Sequence, residues 1–456
     1  MKNQKILIVT VFLITLVIFA LIIFNRSTDE YHYGNSFRQN YMVNTIRLHK
    51  YGITGRRVRI GLIDAGFFTK HSVFTQTNIV DKFNSADNSR QVADTNHIPG
   101  ADHGTNVLSV VGGYEKNKLI GIAYGADFIL AKTDISSDRF RCEELLAVSA
   151  AKWLFTEAAD IITTSLSFNK FDDADYYSPG QMDGEHSRLT KIADSLVQEG
   201  VVFTASAGNN FDNNWRIIEA PSDGYGVLAA GSVDKNRVHS FFSSCGPSAD
   251  GRIKPDLSAP GEGVWTANYL PGLKNDFGWN HGTSLSAPII AGIAALILSA
   301  HPELKNFQVA VALKKSASHP EKPDNFTGWG IPDAEKAVSY FGPAFSNDPD
   351  ISEHDNVITI GAYVFSSYGL DNNSVKMTVV SNKVIAEVFA MRELRENYFV
   401  CSLGKNEQGS FPGFYFSAED RRAVPTKFPS GRIGEYFRYD PREKKTDIFF
   451  LSHESK

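Results

Sequence analysis

Four short stretches carry side chains capable of acyl-transfer chemistry, and each has an ordinary structural reading when taken alone. Ser284 stands in Asn280-His281-Gly282-Thr283-Ser284-Leu285-Ser286-Ala287-Pro288, directly ahead of the apolar run from Ile289 to Leu298. That run has no polar stripe and reads as a helix buried on all sides, with Pro288 expected in its first turn. A serine at the helix mouth faces unpaired N–H groups and the positive end of the dipole, where charge developing during attack on a carbonyl is stabilised. It could equally be a helix cap. Asp64 ends the apolar run Val58 to Ile63, and a carboxylate there must be met by a donor or a cation unless it only shapes a turn. His103 precedes Gly104 and an apolar segment, and Gly104 allows another backbone to come close. Asn209 follows Ala205-Ser206-Ala207-Gly208, where it could form a turn or aim its amide at an oxyanion.

Order and context favour the chemical reading. Asp64, His103 and Ser284 occur in the order Asp, His, Ser, each in a short glycine-containing motif. A nucleophile elbow, G-x-S-x-G with its acid and base downstream, fails on two counts. Ser286 occupies the second glycine position, and no suitable acid and base follow. His97 and Asp94 lie near His103, but no metal motif such as H-E-x-x-H accompanies them.

The elements that must hold these residues alternate between strand and helix. Strands are expected at Val58–Ile63, Phe128–Ala131, Asp160–Leu166 and Val201–Ala205, and helices over Glu143–Ala158 and Ser187–Gly200. This pattern predicts an α/β fold, a mostly parallel sheet with helices on both faces and ligands at the carboxyl ends of the strands. After about Tyr340 seven short β-rich runs, from Asn356–Ser366 to Thr446–Leu451, predict a separate all-β sandwich.

The 456 residues allow two or three domains, and a net charge of −5 gives no support for nucleic-acid binding. Three cysteines permit one disulfide at most and have no metal spacing; buried thiols are the simplest reading. Lys2 and Lys5 precede an uncharged apolar run from Ile6 to Phe24, which as a helix covers roughly 28 Å. A small-x-small cleavage site is lacking. An uncleaved signal anchor with the body exported is the expectation, and a cleaved signal peptide with a secreted body the alternative. The division is then 1–24 anchor, 25–45 polar stalk, 46–341 catalytic domain and 342–456 β-rich domain.

Ile63-Asp64-Ala65-Gly66, His103-Gly104-Thr105, Ala205 to Asn209 and Gly282 to Pro288 together resemble the signatures of subtilisin-like serine peptidases, the subtilases. The resemblance spans about residues 46–341. It implies Ser284 as nucleophile, His103 as general base and acid, Asp64 as the group that orients the imidazole, and Asn209 as oxyanion donor. It also implies that Ser165-Leu166-Ser167 form the edge on which an extended peptide pairs, with the S1 pocket between that edge and Ala205-Ser206-Ala207. The expected partners are polypeptide substrates and, through the N-terminal span, a membrane. No cofactor is required, and no calcium ligand cluster is readable. Asn106 stands where the family usually has His, Ser167 where it has Gly, and Ser286 where it has Ala. The 25–45 segment is also too short for the usual propeptide. These departures, with the unexplained β domain, keep open a non-catalytic binding or scaffold protein on the same fold.

Overall fold

The computed structural model describes residues 28–93, 103–133, 141–170, 176–270, 273–355, 357–381, 384–404, 413–429, 435–440 and 445–450. The apolar run Ile6–Phe24 lies outside these residues.

Seven strands form one parallel sheet: β1 Arg59–Asp64, β2 Asn78–Asn84, β3 Asp127–Lys132, β4 Ile161–Thr164, β5 Val202–Ser206, β6 Leu228–Val233 and β7 Leu257–Pro260, in the order β2-β3-β1-β4-β5-β6-β7. Side chains alternate between two apolar layers. Ile60, Leu62, Phe128, Leu130, Ile161 and Val202 join the core beneath helices α3 His103–Gly112 and α6 Thr283–Ala300. Ile63, Ile129, Ala131, Ile162 and Phe203 join the opposite core, under α4 Arg141–Thr156 and α5 Arg188–Gln198. This period-two pattern puts Asp64 on the same face as Ile60 and Leu62, turned towards α3 and α6. A hairpin, β8 Glu262–Leu270 and β9 Leu273–His281, leads directly into α6, and α7 Asn306–Ser316 and α8 Ala334–Val338 complete this body. The strand expected to reach Leu166 stops at Thr164, because the chain leaves the sheet there to form the edge beside the site.

The expected stalk is not one. Residues 33–45 pack on the α/β body, mostly as helices (α1 Phe37–Met42, followed by α2 Ile46–Lys50). Ser36, Gln39, Asn40 and Thr45 are polar and buried, and each is hydrogen bonded: Asn40 Nδ2 donates to the Ile120 carbonyl at 2.8 Å, and Ser36 Oγ accepts from Ile120 N at 2.9 Å. Gln39 exchanges two bonds with the backbone of Trp265 in β8. Polarity here reflects satisfied backbone groups, not exposure to water.

The C-terminal region is a sandwich of two antiparallel sheets. One contains β10 Ala344–Phe345, β11 Asp350–His354, β12 Val357–Phe365, β15 Arg392–Arg395 and β16 Tyr398–Gly404. The other contains β13 Lys376–Ser381, β14 Val384–Ala390, β17 Gly413–Glu419, β18 Pro425–Phe428, β19 Glu435–Asp440 and β20 Lys445–Phe450. Their inner faces share one apolar core, in which Phe345 stacks against Phe416 and Phe428. The sandwich docks on the end of the α/β body away from Ser284. Asn347, which is buried, accepts from Thr54 N at 2.8 Å and donates to the Ser299 carbonyl at 3.1 Å. Ser299 lies fifteen residues beyond Ser284 on α6 (299 − 284 = 15), or about 22 Å along the helix.

Within the docked N-terminal segment, His49 is buried, accepting from Tyr33 OH at 2.7 Å and donating to the Ile122 carbonyl at 2.8 Å. Burial lowers its pKa from 6.5 to about 4, although the bond to Ile122 acts in the opposite direction. The unfolded chain therefore takes up a proton near pH 6.5 that the folded chain resists. The resulting stability is fully present above that pH and is lost as pH falls from 6.5 towards 4, a change on the order of 3 kcal/mol. Urea unfolding followed between pH 7 and pH 5 should show this decline, and His49→Gln should flatten it.

Candidate active site

Asp64 closes β1 and is fully buried. Its Oδ1 accepts from the backbone N–H of Ala65 at 2.8 Å and from His103 Nδ1 at 2.7 Å. Oδ2 is buried and has no hydrogen bond among the described residues, so the carboxylate depends on the Ala65 N–H and the imidazole. His103 opens α3, which packs against both β1 and α6. The close approach anticipated at Gly104 is present: a Cβ there would lie 2.4 Å from the Gly66 carbonyl, on the turn that follows Asp64. The imidazole is about one-third exposed, with the Asp64 side chain wholly covered behind it. This arrangement directs Nε2 away from the carboxylate and fixes a tautomer in which Nε2 can accept a proton.

Ser284 is the second residue of α6, near the amino end of a helix whose described side chains are almost all buried. Its Oγ forms no hydrogen bond among the described residues, including His103. Pro288, expected in the first turn, is instead the sixth residue, because the helix begins at Thr283. Lacking an N–H, Pro288 leaves the Ser284 carbonyl without its helical donor. Ser165 Oγ replaces that donor at 2.7 Å.

The side-chain oxygen of Asn209 accepts from Thr283 N at 2.9 Å and from Thr283 Oγ1 at 3.0 Å. With the oxygen committed, Nδ2 is left as the outward donor. Gly282 shows where it points. A Cβ on Gly282, whose φ is +143°, would lie 2.8 Å from Ser284 Oγ, 3.6 Å from Asn209 Nδ2 and 3.7 Å from Ser284 N. The space above this glycine is thus ringed by a hydroxyl, a side-chain amide and a first-turn N–H, the arrangement that suits an oxyanion.

The residues that depart from the family pattern have local partners. Asn106 donates from Nδ2 to the Ala267 carbonyl at 2.7 Å and to Asn268 Oδ1 at 2.8 Å, tying α3 to the hairpin. Ser286 donates to the carbonyl of Ala259 at 3.0 Å. Ser167 donates to Glu219 Oε2 at 2.5 Å. Of the residues expected to contact substrate, Leu166 is buried and Ser165 holds the Ser284 carbonyl. Ala205 does not line a cleft with its side chain: strand alternation places it in the core below the sheet, with Phe203 and Ile162. Ser206 and Ala207 are also buried, so this wall is mainly backbone. Thr283 and Glu219 join the site, and Ser165 takes a second role in it, through bonds across the chain that carry no local sequence signal. Among the described residues, no three His, Cys, Asp or Glu side chains cluster to hold a metal ion.

The Subtilase family profile matches residues 55–330, more than half of the chain. The chain belongs to the subtilase family. Subtilisin E of Bacillus subtilis (strain 168) is 26% identical over 298 residues, covering 64% of this chain and 70% of that protein. Subtilisin of Bacillus pumilus is 27% identical over 274 residues, covering 60% and 88%. Among solved structures, MycP1 with its N-terminal propeptide removed gives a TM-score of 0.53 at 20% identity, covering 66% of this chain and 96% of that one. The MycP3 protease from the type VII (ESX-3) secretion system gives 0.53 at 20% identity, with coverage of 66% and 88%. These structures share the fold. As a subtilase this chain is a subtilisin-like serine endopeptidase, and the scaffold alternative loses its footing.

Ser165→Ala should leave the buried Ser284 carbonyl without a donor. Urea denaturation of that variant should show a loss of about 1–3 kcal/mol in unfolding free energy.

Proposed function

We propose that Ser284, His103 and Asp64 act as the catalytic triad of an endopeptidase held at the outer side of a membrane, with Asn209 as oxyanion donor. The observation that carries the reading is the 2.7 Å bond from His103 Nδ1 to Asp64 Oδ1, which leaves Nε2 as the base. In the first step Ser284 Oγ attacks the scissile carbonyl carbon and its proton passes to His103 Nε2. The carbonyl oxygen becomes an oxyanion, facing Asn209 Nδ2 and the N–H of Ser284. Collapse breaks the C–N bond, the His103 proton goes to the leaving amine, and an ester to Ser284 remains. Water then attacks the ester carbonyl, its proton taken by His103; collapse breaks the ester C–O bond, that proton passes to Ser284 Oγ, and the acid leaves. Asp64 stabilises the imidazolium formed in each half-reaction. The unmade Ser284–His103 bond is consistent with this scheme, since such bonds tighten when substrate binds.

Ser284→Ala or His103→Ala should lower kcat on the order of 10⁶-fold, and Asn209→Ala about 10²–10³-fold. These magnitudes are the ones established for subtilisin itself and are carried over from that relative. A fluorophosphonate probe should label wild type but not Ser284→Ala; wild type that neither labels nor cleaves peptides would refute the assignment. The tether rests on the uncharged run Ile6–Phe24 behind two lysines. Activity should sediment with membranes and resist carbonate extraction, and removal of residues 1–24 should release it. Activity that is already soluble in the intact chain would point to a cleaved signal peptide instead.

A further inference from the structure

The segment Glu219–Ala220 is strapped across the gap between the two substrate walls. Glu219 N donates to the Ala207 carbonyl at 3.0 Å on one side, and the Ala220 carbonyl accepts from Phe168 N at 2.8 Å on the other. The Glu219 side chain occupies the floor between them. Its Oε2 accepts from Ser167 Oγ at 2.5 Å, its Oε1 accepts from Asn210 Nδ2 at 2.5 Å, and a Cβ on Gly208 would lie 2.5 Å from Oε2. The residue is only 4% exposed.

We propose that Glu219 makes this endopeptidase select a lysine or arginine as the residue contributing the scissile carbonyl, P1. The proposal rests on the triad reading. If that carbonyl oxygen faces Asn209, the P1 side chain descends next to Gly208 on one wall and Ser167 on the other, and Glu219 lies between these two residues. Among the described residues, Ser167 and Asn210 donate to the carboxylate and hold it between the walls. A cationic side chain adds a charge-assisted bond in a site already shielded from water. An aliphatic or aromatic side chain would cover the carboxylate without bonding to it, and an acidic one would repel it. Ser167 adds to the same effect, because its hydroxyl turns the carboxylate towards the peptide-binding edge.

The test uses the full chain and peptides that differ only at P1: Arg, Lys, Leu, Phe, Ala or Glu. Wild type should cleave after Arg and Lys with kcat/KM about tenfold or more above Leu and Phe. In Glu219→Gln the Arg-to-Leu ratio should fall by about tenfold to a hundredfold. Benzamidine, which mimics the arginine head group, should compete with cleavage by wild type, a readout that stands even if the variant does not fold. A wild type that prefers Leu, Phe or Ala, or a ratio unchanged in Glu219→Gln, overturns the proposal. Fluorophosphonate labelling separates the two levels. Labelled enzyme without basic preference loses the P1 assignment alone, whereas enzyme that neither labels nor cleaves loses the triad as well.

Discussion

A helix sunk in a protein core cannot use water to satisfy its ends, and α6 is such a helix. At its amino end, the N–H and hydroxyl of Thr283 both go to the Asn209 side chain, and the carbonyl freed by Pro288 takes the Ser165 hydroxyl. Those bonds are structural obligations, yet they also set the chemistry. Asn209 can present only its amide nitrogen to the cleft because its oxygen is used, and the Ser284 backbone is held against the edge that follows β4. The proposed oxyanion site is in this sense a by-product of burying a helix terminus correctly.

The second half of the site is governed by strand alternation. Asp64 faces α3 because Ile60 and Leu62 do, and the glycine at the start of α3 lets His103 reach the carboxylate. One half is organised by a helix end and the other by a strand end, and the packing of α3 on α6 joins them. Fold stability and the geometry of the candidate site therefore draw on the same contacts, among them the Asn106 bond that ties α3 to the hairpin leading into Ser284.

Much of this was legible before any coordinates. The alternation of apolar strands and helices gave the sheet, and short glycine-bearing motifs marked Asp64, His103, Asn209 and Ser284, because local chemistry leaves local signatures. The misreadings share one cause. Residues 33–45 looked like a stalk because they are polar, but Ser36, Gln39 and Asn40 bond to backbone that lies far away in sequence. A single glutamate such as Glu219 has no sequence signature; only the fold brings it to Ser167 and Asn210. Pro288 is expected in the first turn from sequence alone because the Ser165 hydroxyl that compensates for it lies far away in the chain, just beyond β4. Contacts across long sequence separations are what composition and periodicity do not encode.

The seam between the catalytic body and the sandwich has a meaning for an enzyme that cuts extended chains. Composition marks a boundary at 341–342, where a linker might be drawn. In the structure residues 342–347 are buried, and Asn347 is bonded to both Thr54 and Ser299. Exposed, pliable connectors are the preferred sites of nicking, and here the junction offers no such strand. The join between the two parts therefore lacks the exposed, pliable backbone on which an endopeptidase acts most readily.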